Sequence, residues 1–400
     1  MKSSKLPGAL LRMERTRQGL MLKQVCQGIC VTSYLSKIEH GSAEADPALL
    51  EALFARLGIR YTADEETLAP LREKMAVYHE QYLYGMDREA TYRELLAQDM
   101  LLTYSPLCVD WLIVRGLEQV DVRAQLDALE ECMTAQQRAW KDMLHAYVDM
   151  KAPENLAQIR AAAGVLGSSS ALLDVCVLAF YQNKYALIHR LEGRLTALAL
   201  AEGNTYVLGC YYDFKGMAYS CLDQDEMMMD CYLRAIHLLQ GTRWADRLEN
   251  IYYNIGATYV ATGKYEQALK YLALAENPDK TLLAVRHKQT LAYIRMGRME
   301  EARQYLAMMK EELDKEKEKT LGAQLWYEEA QMECRDGFLE DPAYLALLER
   351  LFEAFEKEAT FGYLYFYRDR YVQACTRQRQ YKKALEFERK ISSVIHDDGG

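Results

Sequence analysis

Four identities at a fixed interval constrain this chain more than any other feature. Tyr259, Gly263, Ala268 and Leu272 recur 34 residues later as Tyr293, Gly297, Ala302 and Leu306, and Glu266 recurs as Glu300. Gly216, Tyr219 and Ala235 stand 40 residues before Gly256, Tyr259 and Ala275, while Tyr381, Ala384 and Leu385 repeat the pattern of Tyr265, Ala268 and Leu269. A period of this length holds two helices and their turns. In such a hairpin a Gly or Ala lets the two helices approach, and a Tyr fills the gap to the next hairpin. One hairpin cannot bury its apolar face alone, so successive hairpins must stack and leave a concave inner wall.

The rest of the chain agrees with helices. Beyond residue 70 apolar residues recur at helical spacing almost to the end, although residues 70–200 and 320–360 have weaker repeat character. Gly (22) and Pro (7) are scarce, which disfavours a fold of short strands and many turns. The expected fold class is all-α. Residues 61–70 lapse into a polar stretch read as a linker between a head, 1–60, and a body, 71–400.

Charge separates these two parts. The head carries nine Lys/Arg and five Asp/Glu, and the body must hold the excess of acid that brings the whole chain to −9. A basic head on an acidic body suggests that the head alone meets a polyanion. No run approaches the ~18 apolar residues of a membrane span. Arg12, Glu14, Arg15 and Arg17 stand where a secretory leader needs its apolar stretch. The ten cysteines include no CxxC pair and the seven histidines no HxxxH, so no metal site and no cofactor is expected. The thiols read as reduced, in a cytoplasmic protein. Phosphate-loop, dinucleotide, nucleophile-elbow and zinc-protease motifs are all absent, and an enzymatic role is not expected.

Within the head, apolar spacing and Gly breaks place helices near Leu6 to Arg17, Leu22 to Gly28, Ser33 to His40, and Pro47 to Gly58, in a bundle of about five. Thr32 is a candidate N-cap for the third. A helix entering the major groove needs short polar side chains on its first turns and a longer donor further along. Thr32, Ser33, Tyr34 and Lys37 provide them, with Ser36 beside them.

The stretch RQGLMLKQVCQGICVTSYLSKIEHG resembles the lambda-repressor-type helix-turn-helix, and ICVTSYLSKIEHG is closest to the form in peptide-pheromone-sensing regulators of Gram-positive bacteria. The resemblance implies that Thr32, Ser33 and Lys37 face base edges, and that Glu39 pairs structurally with Arg15. It departs where such proteins have a phosphate-holding Gln at the start of the second helix. Met21 and Leu22 stand there, and Lys23 and Gln24 are the substitutes at hand.

The repeated units, in turn, resemble tetratricopeptide repeats, which implies a right-handed α-solenoid of hairpins whose first helices line the inner wall. Transferring the repeat positions puts Asp213, Asn250, Tyr253, Asn254, His287, Lys288, Asp369 and Arg370 on that wall. Asn254 is the best placed, since one amide both donates to and accepts from a peptide backbone. Lys288 or Arg370 would suit a ligand carboxylate. Head and body together resemble pheromone-sensing regulators as a whole. The implied partners are double-stranded DNA, a short signalling peptide and a second copy of the chain, with no membrane. The alternative is a scaffold whose repeats hold another protein while the head tethers it to DNA.

Overall fold

The computed structural model describes residues 5–222, 224–277, 282–315, 320–358 and 362–396. Among these there are 23 α-helices, three short 3-10 turns and no strand. The chain divides into two compact units, Met1–Leu178 and Ala179–Gly400.

The first unit holds α1 (Leu6–Arg17), α2 (Leu22–Cys26), α3 (Thr32–Glu39), α4 (Pro47–Arg56), α5 (Glu65–Leu83), α6 (Glu89–Leu96), α7 (Asp99–Thr103), α8 (Cys108–Leu117), α9 (Arg123–Ala128), α10 (Ala135–Ala146) and α11 (Pro153–Leu166). The division falls within α12 (Ser169–Tyr181). Four helices lie inside residues 1–60, and a fifth begins at Glu65.

Residues 65–70, read from sequence as linker, are therefore the first turns of α5. Asp64 explains the start: its Oδ2 accepts from the Thr67 N–H at 2.8 Å and from the Thr67 hydroxyl at 2.7 Å. Glu65 and Glu66 then favour the positive end of the helix. Pro70, the last residue of the expected linker, lies inside this helix.

The head is also not set apart by its own core. Leu10, Leu11, Leu35, Ile38, Leu53 and Phe54 pack in one hydrophobic cluster that runs on through Trp111 and Leu126. Phe54 stacks on Tyr61 with ring centres 5.1 Å apart.

A buried carboxylate ties α1 to the loop after α7. Glu14 accepts from Arg17 (2.6 Å), from the Gln18 amide (2.6 Å) and from the Tyr104 hydroxyl (2.7 Å). The Arg17 hydrogen bond, joined by those of Gln18 and Tyr104, holds its carboxyl down from 4.5 to about 2. A carboxyl depressed by folding adds stability above its unfolded value and loses it as pH falls through the folded one. Wild-type stability should thus decline as pH drops from 4.5 towards 2, and Glu14→Gln should flatten that part of the curve. Urea midpoints measured across this range check it; parallel curves for the two proteins would refute it.

The second unit continues with α13 (Tyr185–Glu202) and then five helical hairpins: α14 (Thr205–Cys221) with α15 (Asp225–Leu239), α16 (Leu248–Ala261) with α17 (Tyr265–Leu274), α18 (Leu283–Arg295) with α19 (Met299–Lys315), α20 (Leu321–Glu333) with α21 (Pro342–Glu358), and α22 (Gly362–Arg377) with α23 (Tyr381–His396). The repeated small residues sit where the helices of a hairpin touch. A Cβ on Gly216 would meet the Tyr232 ring at 2.7 Å, and one on Gly256 would meet Leu272 at 2.6 Å. The inner wall is not an open channel: α22 packs against α14 and α16.

Candidate functional site

Two surfaces hold some of the residues singled out from sequence, and the rest lie elsewhere. The first is α3. Leu35, Ile38 and Glu39 are buried, which leaves Thr32, Ser33 and Lys37 exposed, with Tyr34 and Ser36 half-buried. Thr32 does not cap the helix, as its place in the sequence suggested. It is the first helical residue, and Val31 occupies the cap with extended backbone and no side-chain hydrogen bond. The Tyr34 hydroxyl donates to the Glu44 carbonyl at 2.8 Å, so this side chain braces the loop after α3.

Arg15 holds Glu39 through Nε and Nη2, both at 2.7 Å, and its Nη1 donates to the Leu20 carbonyl at 2.8 Å. One guanidinium thus ties α1, the turn before α2, and α3 together. On α2, Lys23 and Gln24 are exposed. The Gln24 carbonyl oxygen accepts from the Met21 N–H at 2.7 Å, which leaves its NH₂ for other contacts.

The sequence reading noted Met21 only as a departure from the resemblance and gave Val31 no role; they are 73% and 67% exposed. Their signal is an apolar residue at an N-cap, a place where Ser, Thr, Asp and Asn are favoured.

The second surface is a cavity of about 160 Å³ in the second unit. Its walls come from α14, α16, α18 and α22, the first helices of four hairpins, with Tyr232 of α15 and Phe180 of α12. Its volume resembles that of the ~150 Å³ cavities that take up a benzene-sized group. Of the eight wall candidates, Tyr253, Asn254 and Lys288 line it.

The other five do not. Asn250 and Asp369 are exposed elsewhere. Asp213 is buried, its Oδ1 has no hydrogen bond, and burial pushes its carboxyl up to about 7. Arg370 lies 3.7 Å from Glu333 and close to the Phe338 ring. His287 is fully buried between α18 and α20, where its Nε2 bonds to Glu329 Oε2 at 2.8 Å.

A buried polar cluster stands behind this cavity, and it includes groups that sequence reasoning did not single out. Glu329 also accepts from the Tyr367 hydroxyl at 2.8 Å, yet its Oε1 has no partner. Glu333 accepts from the Tyr344 hydroxyl at 2.7 Å and from Arg295 at 3.2 Å. Burial, then the charge on Glu333, raises the Glu329 carboxyl well above its ordinary range.

Burial, then the charges of Lys288 and Arg295, lowers His287. The imidazole is accordingly neutral: Nε2 donates to Glu329, and Nδ1 accepts from the Lys288 ammonium at 3.3 Å. Burial also brings Lys288 down to about 7, against the pull of Glu329.

A wider depression in the first unit, about 390 Å³, offers less. Its Asp174 bonds Tyr147 at 2.5 Å and its Arg123 bonds Asp121 at 2.8 Å, so these polar groups satisfy one another. The described residues contain no metal-binding cluster, and no helix among them is long and apolar enough to cross a membrane.

No family model matches the sequence, and no curated protein does. Among solved structures, the fold is similar to that of the apo form of the quorum sensor NprR from B. thuringiensis. The TM-score is 0.57 and the identity 15%, over 82% of this chain and 100% of that one.

Proposed function

We propose that this chain is a cytoplasmic transcription regulator: α3 reads DNA, and the hairpin unit binds a short signalling peptide that alters DNA binding by a dimer. One observation carries the reading. The first helices of four hairpins converge on a cavity lined by an amide, hydroxyls, aromatic rings and one ammonium. Asn254 offers a donor and an acceptor to a peptide backbone. The volume takes one bulky side chain and is too small for the surface of a folded protein, which favours a peptide over the scaffold alternative.

The likeness of fold to a quorum sensor supports the same reading. On α3, Thr32, Ser33 and Lys37 are exposed above a buried Leu35 and Ile38, an arrangement suited to base edges. Lys23 and the Gln24 amide suit phosphates. Two-fold operators call for a dimer. Ligand binding would act by shifting an equilibrium between placements of the two heads.

The direct test is a gel-shift titration on selected operator DNA, with and without candidate peptides, paired with calorimetry of the same peptides. Peptide-dependent DNA affinity is expected; DNA binding indifferent to every peptide that binds would defeat the sensing role. Lys37→Ala should weaken specific binding by ~1–3 kcal/mol and relax the sequence preference at one base pair. Unchanged affinity and preference would remove Lys37 from base reading.

A further inference from the structure

The polar groups of the cavity are unevenly matched. Among the described residues, Lys288 is the one ionic residue in its lining, and no Asp or Glu joins it there. Lys288 is 2% exposed, and its ammonium lies against aromatic rings: 3.4 Å from the centre of Phe366, 5.6 Å from Tyr367 and 5.7 Å from Trp326. An ammonium has three N–H donors. Among the described residues, Lys288 has one hydrogen bond, the long one to His287 Nδ1.

The nearby Glu329 is not hydrogen-bonded to Lys288; its Oε2 is taken by His287 and Tyr367. Tyr232, which also lines the cavity, is fully buried, and its hydroxyl has no hydrogen-bond partner among the described residues. Unmet buried donors cost about 1–3 kcal/mol each, and more when charged. Both residues line one small cavity, and a carboxylate brings two acceptor oxygens to it.

We propose that this cavity receives a carboxylate of the ligand, paired with the Lys288 ammonium and hydrogen-bonded by the Tyr232 hydroxyl, with a bulky apolar side chain beside it. The inference rests on the peptide-binding reading and narrows it to ligands whose acid stands next to an apolar residue, either at the C-terminus or on an Asp or Glu side chain.

Binding should also take up a proton near neutral pH. Burial and Arg295 lower Lys288, while Glu329 and Glu333 of α20 raise it. His287 on its own helix is neutral, and the groups facing it from α22 are the Phe366 and Tyr367 rings. An arriving anion holds Lys288 charged and raises Glu329 further, and both changes bind protons.

The test uses the full-length protein and acetylated tripeptides ending in Leu, Ile, Phe or Tyr, screened singly by calorimetry. One set has a free C-terminal acid. The second is C-terminally amidated. The third is amidated and carries Asp or Glu next to the apolar residue. Acid-bearing tripeptides of the first or third set should bind at least about tenfold more tightly than the neutral amides, and which set wins identifies the source of the carboxylate. Heats in buffers of different ionisation enthalpy should show net proton uptake.

Lys288→Met should abolish the preference. Tyr232→Phe removes only an unpartnered hydroxyl and should fold normally; it should weaken the acids roughly tenfold. Equal binding of acids and neutral amides, or wild-type affinity in both variants, would overturn the carboxylate while leaving a peptide site. No binding by any of the three sets would overturn both.

Discussion

Gly8→Ala should disable the head. A Cβ at this position would lie 1.9 Å from the Ile38 carbonyl oxygen and 2.8 Å from its carbon. The obstacle is backbone of α3, so no rotamer change relieves it. Instead α1 must withdraw from α3, opening the packing of Leu10, Leu11 and Leu35. Alanine favours a helix by about 1 kcal/mol over glycine, but forced overpacking costs 1–3 kcal/mol and sometimes more. With backbone as the obstacle, the net loss should be about 2 kcal/mol or greater, and DNA affinity should fall as α3 loses its seat.

Gly164→Ala is the control. Nothing lies within 4 Å of a Cβ there, so only the helix preference remains, and the variant should be neutral or slightly stabilised. Urea unfolding of both variants checks the pair; equal stabilities would show that α1 and α3 have slack at their contact.

Glu333→Ala should destabilise the second unit by ~3–5 kcal/mol, the cost of leaving a buried charge without its partner. Glu333 and Arg295 are 0% and 4% exposed at the side chain, and Arg370 and the Tyr344 hydroxyl face the same carboxylate. Alanine would strand the guanidinium and orphan the phenol together. The charges of Arg295 and Arg370 keep the Glu333 carboxyl low despite its burial, so it is ionised at neutral pH and the loss is of a true ion pair.

Arg350→Ala breaks a pair whose members are 54% and 47% exposed, and should change stability by less than about 1 kcal/mol. Chemical denaturation compares them. A small effect at Glu333 would mean that Glu329 takes over as the partner of Arg295.

Local pattern carried much of what the structure contains. The Tyr, Gly, Ala and Leu spacing marks hairpins because each of those residues acts within its own pair of helices: Gly256 lies under Leu272 of the same hairpin. The Arg15 and Glu39 contact was legible through the helix-turn-helix resemblance. Thr32 was misassigned as a cap because the polar residue and the cap position differ by one, and Val31, which does occupy the cap, lacks the chemistry expected there.

Asp213 and His287 were placed on the inner wall by repeat position, yet both turn into seams between helices. Adjacent positions on a helix point about 100° apart, so His287 meets Glu329 on α20 while its neighbour Lys288 reaches the cavity. No local pattern distinguishes these outcomes.

The amino-acid order alone was enough for the helices and their pairing into hairpins, since spacing along a chain specifies which face of each helix is apolar. Whether Glu329 and Glu333 face water or a dry interior was not written there. Two acids one turn apart look like a solvated stripe until α18, α21 and α22 close around them. That closure joins residues from separate hairpins, and it buries the lysine at 288 and brings its amine down to about 7.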